Sequence, residues 1–349
     1  MEKNSELRHA WDFVEHTGIS IFLTGKAGTG KTTFLRTLKE KSSKRSIIVA
    51  PTGVAAINAG GMTIHSFFQL PLSPFVPEAN FKNRFDYSKE KRKIIRALDL
   101  LIIDEISMVR SDVLDAIDSV LRRFREHEKP FGGVQLLMIG DLQQLTPVVT
   151  PEDEVILQRY YDTSYFFGSK ALRSISYVTI ELTHVYRQQD EEFITLLNNI
   201  REGQVSETDL KRLNERFNPN FEPEVGSDYI RLTTHNKMAE SYNEVQLHNL
   251  PSKACTFIAE ADGNFPEYNY PADFKLTLKR GAQVMFIRND NNGRYYNGRI
   301  GHVTHIDNEK ILVLCPGDNK EIEVQQETWE NTKYSLNEKT KQIEAEVQG

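Results

Sequence analysis

Four short clusters carry residue types and spacings that could do chemistry, and all four suit a nucleotide's phosphates. Segment GKAGTGKT (25–32) matches G-x-x-x-x-G-K-[ST] between an apolar run and a helical pattern, the setting in which such a loop cradles phosphate. Gly25, Gly28 and Gly30 let backbone N–H groups turn inward on a β-phosphate, and Thr29 and Thr33 belong to the same cradle. Lys31 would reach the β/γ oxygens and the Thr32 hydroxyl would ligate Mg²⁺. Asp104 and Glu105 close the apolar run LDLLII (98–103), at the carboxyl end of a strand, where open α/β sheets bind ligands. There Asp104 would hold Mg²⁺ through water, and Glu105 would orient and deprotonate an attacking water. Gln144, in GDLQQL (140–145), is a neutral group placed to sense a γ-phosphate. Arg187, in THVYRQ (183–188), is the best-placed cation for the charge that grows on the γ-phosphoryl oxygens. An exposed arginine after a strand is usually only a solvated charge, and the residues alone leave both readings open.

The elements that must position these residues show in the hydropathy pattern. ISIFL (19–23), SIIVA (46–50), LDLLII (98–103) and VQLLMI (134–139) are short and nearly continuous, as parallel strands buried on both faces are. Between them, 111–125 places Val113, Leu114, Ile117, Val120, Leu121 and Phe124 on one helical stripe behind the N-cap candidate Ser111. Its acids come first and its arginines last, so Arg122, Arg123 and Arg125 read as partners of the helix dipole and solvent. Strand–helix alternation of this kind predicts a doubly wound α/β domain. A second α/β unit is expected from about residue 171, with YVTIEL (177–182), a helix around 190–201, and YIRLTT (229–234) ahead of another helix. From about 281, GAQVMFIRND, GHVTHID and KILVLC predict short β segments joined by turns.

The 349 residues, 39% of them apolar, suffice for two or three cores. No stretch approaches the ~18 apolar residues that span a bilayer, and MEKNSELRH lacks an apolar signal region. Cys255 and Cys315 stand apart without metal-ligand spacing, so a reducing cytoplasm is expected rather than a disulfide framework or a zinc site. A net charge of −6 excludes a generally basic nucleic-acid coat, although not a local basic groove.

The ordered series GKAGTGKTT (25–33), APTGVAA (50–56), TIHSFF (63–68), DEISMV (104–109), GDLQQLTPV (140–148) and LTHVYRQ (182–188) resembles the motifs of superfamily 1B helicases. Segment SDVLDAIDSVLRRFREHEKPFGG (111–133) is similar to the one that marks their PIF-type (petite integration frequency) branch. LTTHNKMAESYN (232–243), and LKRGAQVMFIRND with YYNGRIGHV within 278–303, resemble the second motor domain and the start of its β-barrel insertion. The resemblance implies an α/β fold of two RecA-like P-loop motor domains, parallel sheets with helices on both faces, plus small insertions of which the second is β-rich. The expected boundaries are 1–170 with an insertion at about 67–95, 171–300, and a β-barrel-like insertion over 301–349. The implied activity is an ATP- and Mg²⁺-dependent DNA helicase or translocase. It would move 5′→3′ as a monomer on single-stranded DNA and on duplex or structured junctions, away from membranes.

Carried over position by position, the resemblance makes Arg187 an arginine finger acting across the cleft, and gives Lys31, Thr32, Asp104, Glu105 and Gln144 the roles argued above. It lays a DNA strand along Pro51, Thr52, Gly53, His65, Ser66 and Phe68, opposite Thr234, His235 and Asn236. A ring such as Phe68 would stack a base for ~1–3 kcal/mol without reading its identity; the alternative places Phe67 or Phe68 in the core. Segment 82–96, seven basic residues against two acidic with Phe85 and Tyr87 between, is either a duplex contact or a solvated face. Two departures stand out. Residues 1–20 contain no glutamine for reading adenine, Arg8 lying near the aligned place, and no HKSQG-like or ALSR-like segment occurs before Gly349. The rival readings are a single-strand-binding ATPase that does not unwind, and a P-loop ATPase of another kind.

Overall fold

The computed structural model describes residues 4–71, 73–76, 87–186, 190–224, 227, 229–263, 267, 270–288, 290, 294–295 and 298–329, with the backbone of 332–336 and 343–347. The four apolar runs form strands β1 (Ser20–Gly25), β2 (Ser46–Ala50), β4 (Leu100–Ile103) and β5 (Gln135–Ile139). Two further strands, β3 (Met62–Thr63) and β6 (Tyr177–Leu182), complete a parallel sheet in the order β3-β2-β4-β5-β1-β6.

Successive side chains on a strand point to opposite faces, and here each face has its own core. Ile21, Leu23, Ile48, Leu100, Ile102, Leu137 and Ile139 pack with α1 (Ser5–His16) and α2 (Lys31–Lys41) through Leu7, Val14, Phe34, Leu35 and Leu38. On the other face Phe22, Ile47, Val49, Leu101, Ile103, Leu136 and Met138 pack with α4 (Ile64–Phe68), α5 (Lys89–Ala97), α6 (Ser111–Phe124) and α8 (Lys170–Arg173). Between these helices lie α3 (Gly53–Ala59) and α7 (Pro151–Leu157), and α9 (Glu191–Arg201) and α10 (Glu207–Asn214) follow β6.

Two local expectations are corrected. Helix α6 begins at Ser111, with Arg110 at the capping position and no side-chain cap. The Ser111 hydroxyl donates instead to the Thr163 carbonyl at 3.0 Å. At the other end of α6, Arg122 pairs with Asp118, and Arg125 donates to the carbonyls of Gly132, Ile95 and Arg96. The boundary expected at 171 also moves. Strand β6 pairs with β1 over its whole length, Ser20 with Tyr177 through Gly25 with Leu182. An edge strand of alternating character fits any sheet with a free edge, so its own residues do not say which one it joins.

Compactness divides the chain into Met1–Arg212 with Thr332–Gln348, and Leu213–Asn331. The second unit contains α11 (Asn236–Asn249), an antiparallel pair β7 (Ala254–Ile258) and β8 (Lys275–Lys279), and an antiparallel sheet of β9 (Gln283–Met285), β10 (Ile300–Ile306), β11 (Ile311–Leu314) and β12 (Ile322–Val324). Because β9 pairs with β10, this sheet starts before the expected boundary at 301. Segment 229–234, expected as a strand, forms none, and Tyr229, Ile230 and Leu232 are exposed. The hairpin of β13 (Thr332–Leu336) and β14 (Ile343–Val347) groups with the first unit. Among the described residues no helix is long and apolar enough to cross a membrane.

Candidate nucleotide and nucleic-acid site

Strands β4, β5 and β1 are neighbours and parallel, so the loops that leave their carboxyl ends emerge along one edge of the sheet. The first is the phosphate loop. Gly25 ends β1 at φ 146°, where a Cβ would stand 2.6 Å from the Leu182 carbonyl oxygen. Gly30 caps α2 at φ 97° with no side-chain acceptor for the helix's first N–H groups, which leaves them to a bound anion. The Lys31 ammonium folds back onto the carbonyls of Gly25 (2.5 Å) and Lys26 (3.0 Å). The buried Thr29 hydroxyl closes the loop on the Lys26 carbonyl at 2.8 Å, while Thr32 and Thr33 are exposed at the start of α2. Burial pushes the Lys31 ammonium below its ordinary value, partly offset by the carboxylates of Asp141, Glu105 and Asp104. Lys31 therefore lies within electrostatic reach of both other loops.

Asp104 continues the ladder as β4 ends, its N–H donating to the Val49 carbonyl at 2.9 Å. Glu105 sits in the left-handed region, φ 50° and ψ 45°, a conformation costly for a side chain with a Cβ and concentrated at functional sites. Its N–H is held by Asp104 Oδ1 at 3.0 Å. Burial first, then the Glu105 carboxylate, pushes the Asp104 carboxyl up to about 6. In the third loop the exposed Gln144 donates Nε2 to Asp141 Oδ2 at 3.0 Å. The sequence reading missed Asp141 and its partner Arg201, at the last residue of α9, whose Nη1 donates to the same oxygen at 2.6 Å. No periodicity or motif joins residues 60 positions apart.

Arg187 lies outside the described residues. Tyr186 before it donates its N–H to the Gly28 carbonyl at 2.9 Å and accepts from Asn4 Nδ2 at 3.3 Å. The described residues on either side of it, Tyr186 and Asp190, belong to the first unit.

The proposed DNA-contacting residues of the first unit leave another pair of adjacent strands. β2 pairs with β3, Ala50 opposite Thr63, so Pro51, Thr52 and Gly53 begin beside Ile64, His65 and Ser66. Thr52 and Thr63 spend their hydroxyl oxygens capping α3 and α4. His65 is half-buried and pushed below its ordinary value by burial and by Arg110, which is itself paired with the buried Asp112 and with Asp153. Phe68 departs from its expected role. It is 0% exposed, packs edge-on against Phe67 at 4.8 Å, and its carbonyl accepts the Tyr87 hydroxyl. Both phenylalanines are core, because α4 turns its apolar side onto the sheet. Thr234, His235 and Asn236 lie on the second unit, exposed at the start of α11, with the Thr234 hydroxyl 2.8 Å from His235 Nδ1. Of the basic segment, residues 82–86, Phe85 included, lie outside the described residues; the rest forms the turn into α5 and α5 itself, with Lys91 over the Phe67 ring at 3.9 Å.

A magnesium ion fits these residues. Asp104 is a half-buried carboxylate beside a second one, raised by burial and by Glu105 and only partly offset by Lys31, and the Thr32 hydroxyl is exposed at the loop's end. Among the described residues no group of three or more His, Cys, Asp and Glu could hold a metal alone. Mg²⁺ keeps several waters and uses one or two protein ligands together with substrate phosphates, a demand that Asp104 and Thr32 can meet.

A parallel α/β sheet with a G-x-x-x-x-G-K-T loop, an acidic pair and a polar loop at one edge is the arrangement of the P-loop nucleotide-binding proteins. Residues 4–211 match the profile of the PIF1-like helicases, and the chain belongs to that family. It is 37% identical over 320 residues to the ATP-dependent DNA helicase PIF1 of Homo sapiens, covering 85% of this chain and 46% of that protein; the chain thus spans about half the length of such a relative. Its structure superposes on that of Bacteroides sp Pif1 in complex with ADP-AlF4 with a TM-score of 0.92 and 39% identity, over 100% of this chain and 79% of that one. Against Bacteroides Pif1 bound to ssDNA the TM-score is 0.66 at 39% identity, over 98% and 78% of the two chains.

Proposed function

We propose that this chain hydrolyses ATP with Mg²⁺ and uses the cycle to move 5′→3′ along single-stranded DNA, separating duplex ahead of it. The observation that carries the reading is the meeting of Lys31, Asp104, Glu105 and the Gln144 loop at the carboxyl edge of one parallel sheet. In this reading Lys31 leaves the carbonyls of Gly25 and Lys26 for phosphate oxygens, and the open N–H groups of α2 bind the same anion. The Thr32 hydroxyl and, through water, Asp104 would hold a Mg²⁺, which would supply charge neutralisation to the phosphates. Glu105 takes the proton of the attacking water, Gln144 senses the γ-phosphate, and Arg187 supplies the further cation.

Family membership and the ssDNA-bound relative support single-stranded DNA as the partner, with Pro51, Thr52, Gly53, His65 and Ser66 on the first unit and Thr234, His235 and Asn236 on the second as its contacts. We place the 5′→3′ direction, the second motor domain and monomeric action within this proposal. The test is ATP turnover by the purified 349-residue chain with and without single-stranded DNA, beside strand separation of duplexes carrying a 5′ or a 3′ tail. DNA-stimulated turnover with separation of the 5′-tailed duplex is expected. Turnover without separation of either duplex would leave the single-strand-binding ATPase reading, and no turnover would end the motor reading. Sedimentation on a tailed duplex tests the monomer.

A further inference from the structure

Asp141 is 2% exposed, yet it carries a carboxylate directly after β5. Three donors converge on it: Arg201 Nη1 at 2.6 Å and Gln144 Nε2 at 3.0 Å on Oδ2, and the Gln143 N–H at 3.1 Å on Oδ1. Such burial would by itself push the carboxyl up, and these hydrogen bonds outweigh it and hold the group below its ordinary value. An ionised carboxylate only accepts hydrogen bonds. Gln144 must therefore offer Asp141 its NH₂, which leaves its Oε1, the acceptor, for another partner.

We propose that the Arg201–Asp141 ion pair is a positioning device that fixes which face of the Gln144 amide is presented to the nucleotide site, and so ties the end of α9 to hydrolysis. The inference rests on the nucleotide-site reading above. A basic residue at a helix C-terminus ordinarily serves the helix dipole. Arg201 does more, because its side chain is only 21% exposed and reaches the loop after β5. Two residues earlier, Asn199 Nδ2 donates to Asp209 Oδ2 at 3.0 Å on α10, so α9 is fastened on both sides of that turn. Without Arg201 the buried carboxylate loses its strongest partner and is driven toward protonation or water. A protonated Asp141 would donate, and the Gln144 amide would turn its oxygen inward.

The test uses the full chain with Arg201→Ala, Arg201→Lys, Gln144→Ala and the double variant Arg201→Ala/Gln144→Ala. In the nucleotide-free protein, the side-chain NH₂ resonances of Gln144, identified by their loss in Gln144→Ala, are expected to shift in Arg201→Ala and less in Arg201→Lys. Affinity for a fluorescent ATP analogue should stay within about threefold. Single-turnover hydrolysis should fall about tenfold in Arg201→Ala, and the double variant should be no slower than Gln144→Ala alone. If Arg201→Ala slows the Gln144→Ala background by the same factor, or leaves the Gln144 resonances in place, the inference is overturned. Should Arg201→Ala fail to melt cooperatively, Arg201→Lys decides by the same two readouts. A wild-type chain that hydrolyses no ATP would end the ATPase reading, and the Gln144 resonance would then decide the positioning claim by itself.

Discussion

Lys31 and Glu105 stand at the same edge of the sheet, and the proposed mechanism gives them different parts of the reaction, which substitution separates. Lys31 is the cation of the phosphate loop, so Lys31→Ala should abolish nucleotide binding or turnover while single-strand binding without nucleotide persists. Glu105→Gln keeps shape and hydrogen bonding and deletes the base. Nucleotide titration should find its affinity preserved and steady-state assays should find turnover lost; equal loss of affinity in both variants would contradict the separate roles. For Arg187, whose role comes from the resemblance, Arg187→Ala should lower single-turnover hydrolysis by a factor on the order of 10³. ATP affinity should stay within about tenfold, ~1.4 kcal/mol, and Arg187→Lys should rescue little, because lysine lacks the planar fork. Unchanged turnover in Arg187→Ala would remove it as the finger.

At the scale of the element, α4 shows how a motif can carry two kinds of residue. Five residues long and capped by Thr63, it presents His65 and Ser66 part-exposed and sinks Ile64, Phe67 and Phe68 into the core. Phe68→Ala should therefore cost ~3–5 kcal/mol of stability, the usual penalty for emptying a buried aromatic site. Urea unfolding measures it, and single-strand affinity of the folded fraction should be unchanged. A loss of DNA affinity without loss of stability would return Phe68 to the strand's path.

At the scale of the whole molecule, the two compact units each hold one of the chain's two tryptophans, Trp11 in α1 and Trp329 in the second unit. Nucleotide that binds the loop after β1 stabilises the first unit by mass action, ~2.7 kcal/mol when free ligand is 100 times its Kd. With Trp329→Phe the fluorescence of Trp11 should report a transition that ATP and Mg²⁺ move to higher urea. With Trp11→Phe the fluorescence of Trp329 should report one that moves less. Lys31→Ala should abolish the first shift. Equal shifts for both tryptophans would show that the units unfold as one.

The sequence by itself determined what is local. Short apolar runs bounded by turn residues fit strands buried on both faces, and a G-x-x-x-x-G-K-T loop between strand and helix fits a backbone turned inward on phosphate, so β1, β2, β4, β5 and the loop at 25–32 were legible, as were the acidic pair and the loop of Gln144 at strand ends. The tertiary structure decided what depends on partners distant in sequence. Strand β6 joins β1 because that edge of the sheet was free. Phe68 is core because α4 lies on the sheet, and Ser111 donates to Thr163 instead of capping its helix. Above all, Arg201 reaches Asp141 across 60 residues. Propensity and periodicity extend over one helix or strand, whereas a buried ion pair is specified only once both of its elements are packed.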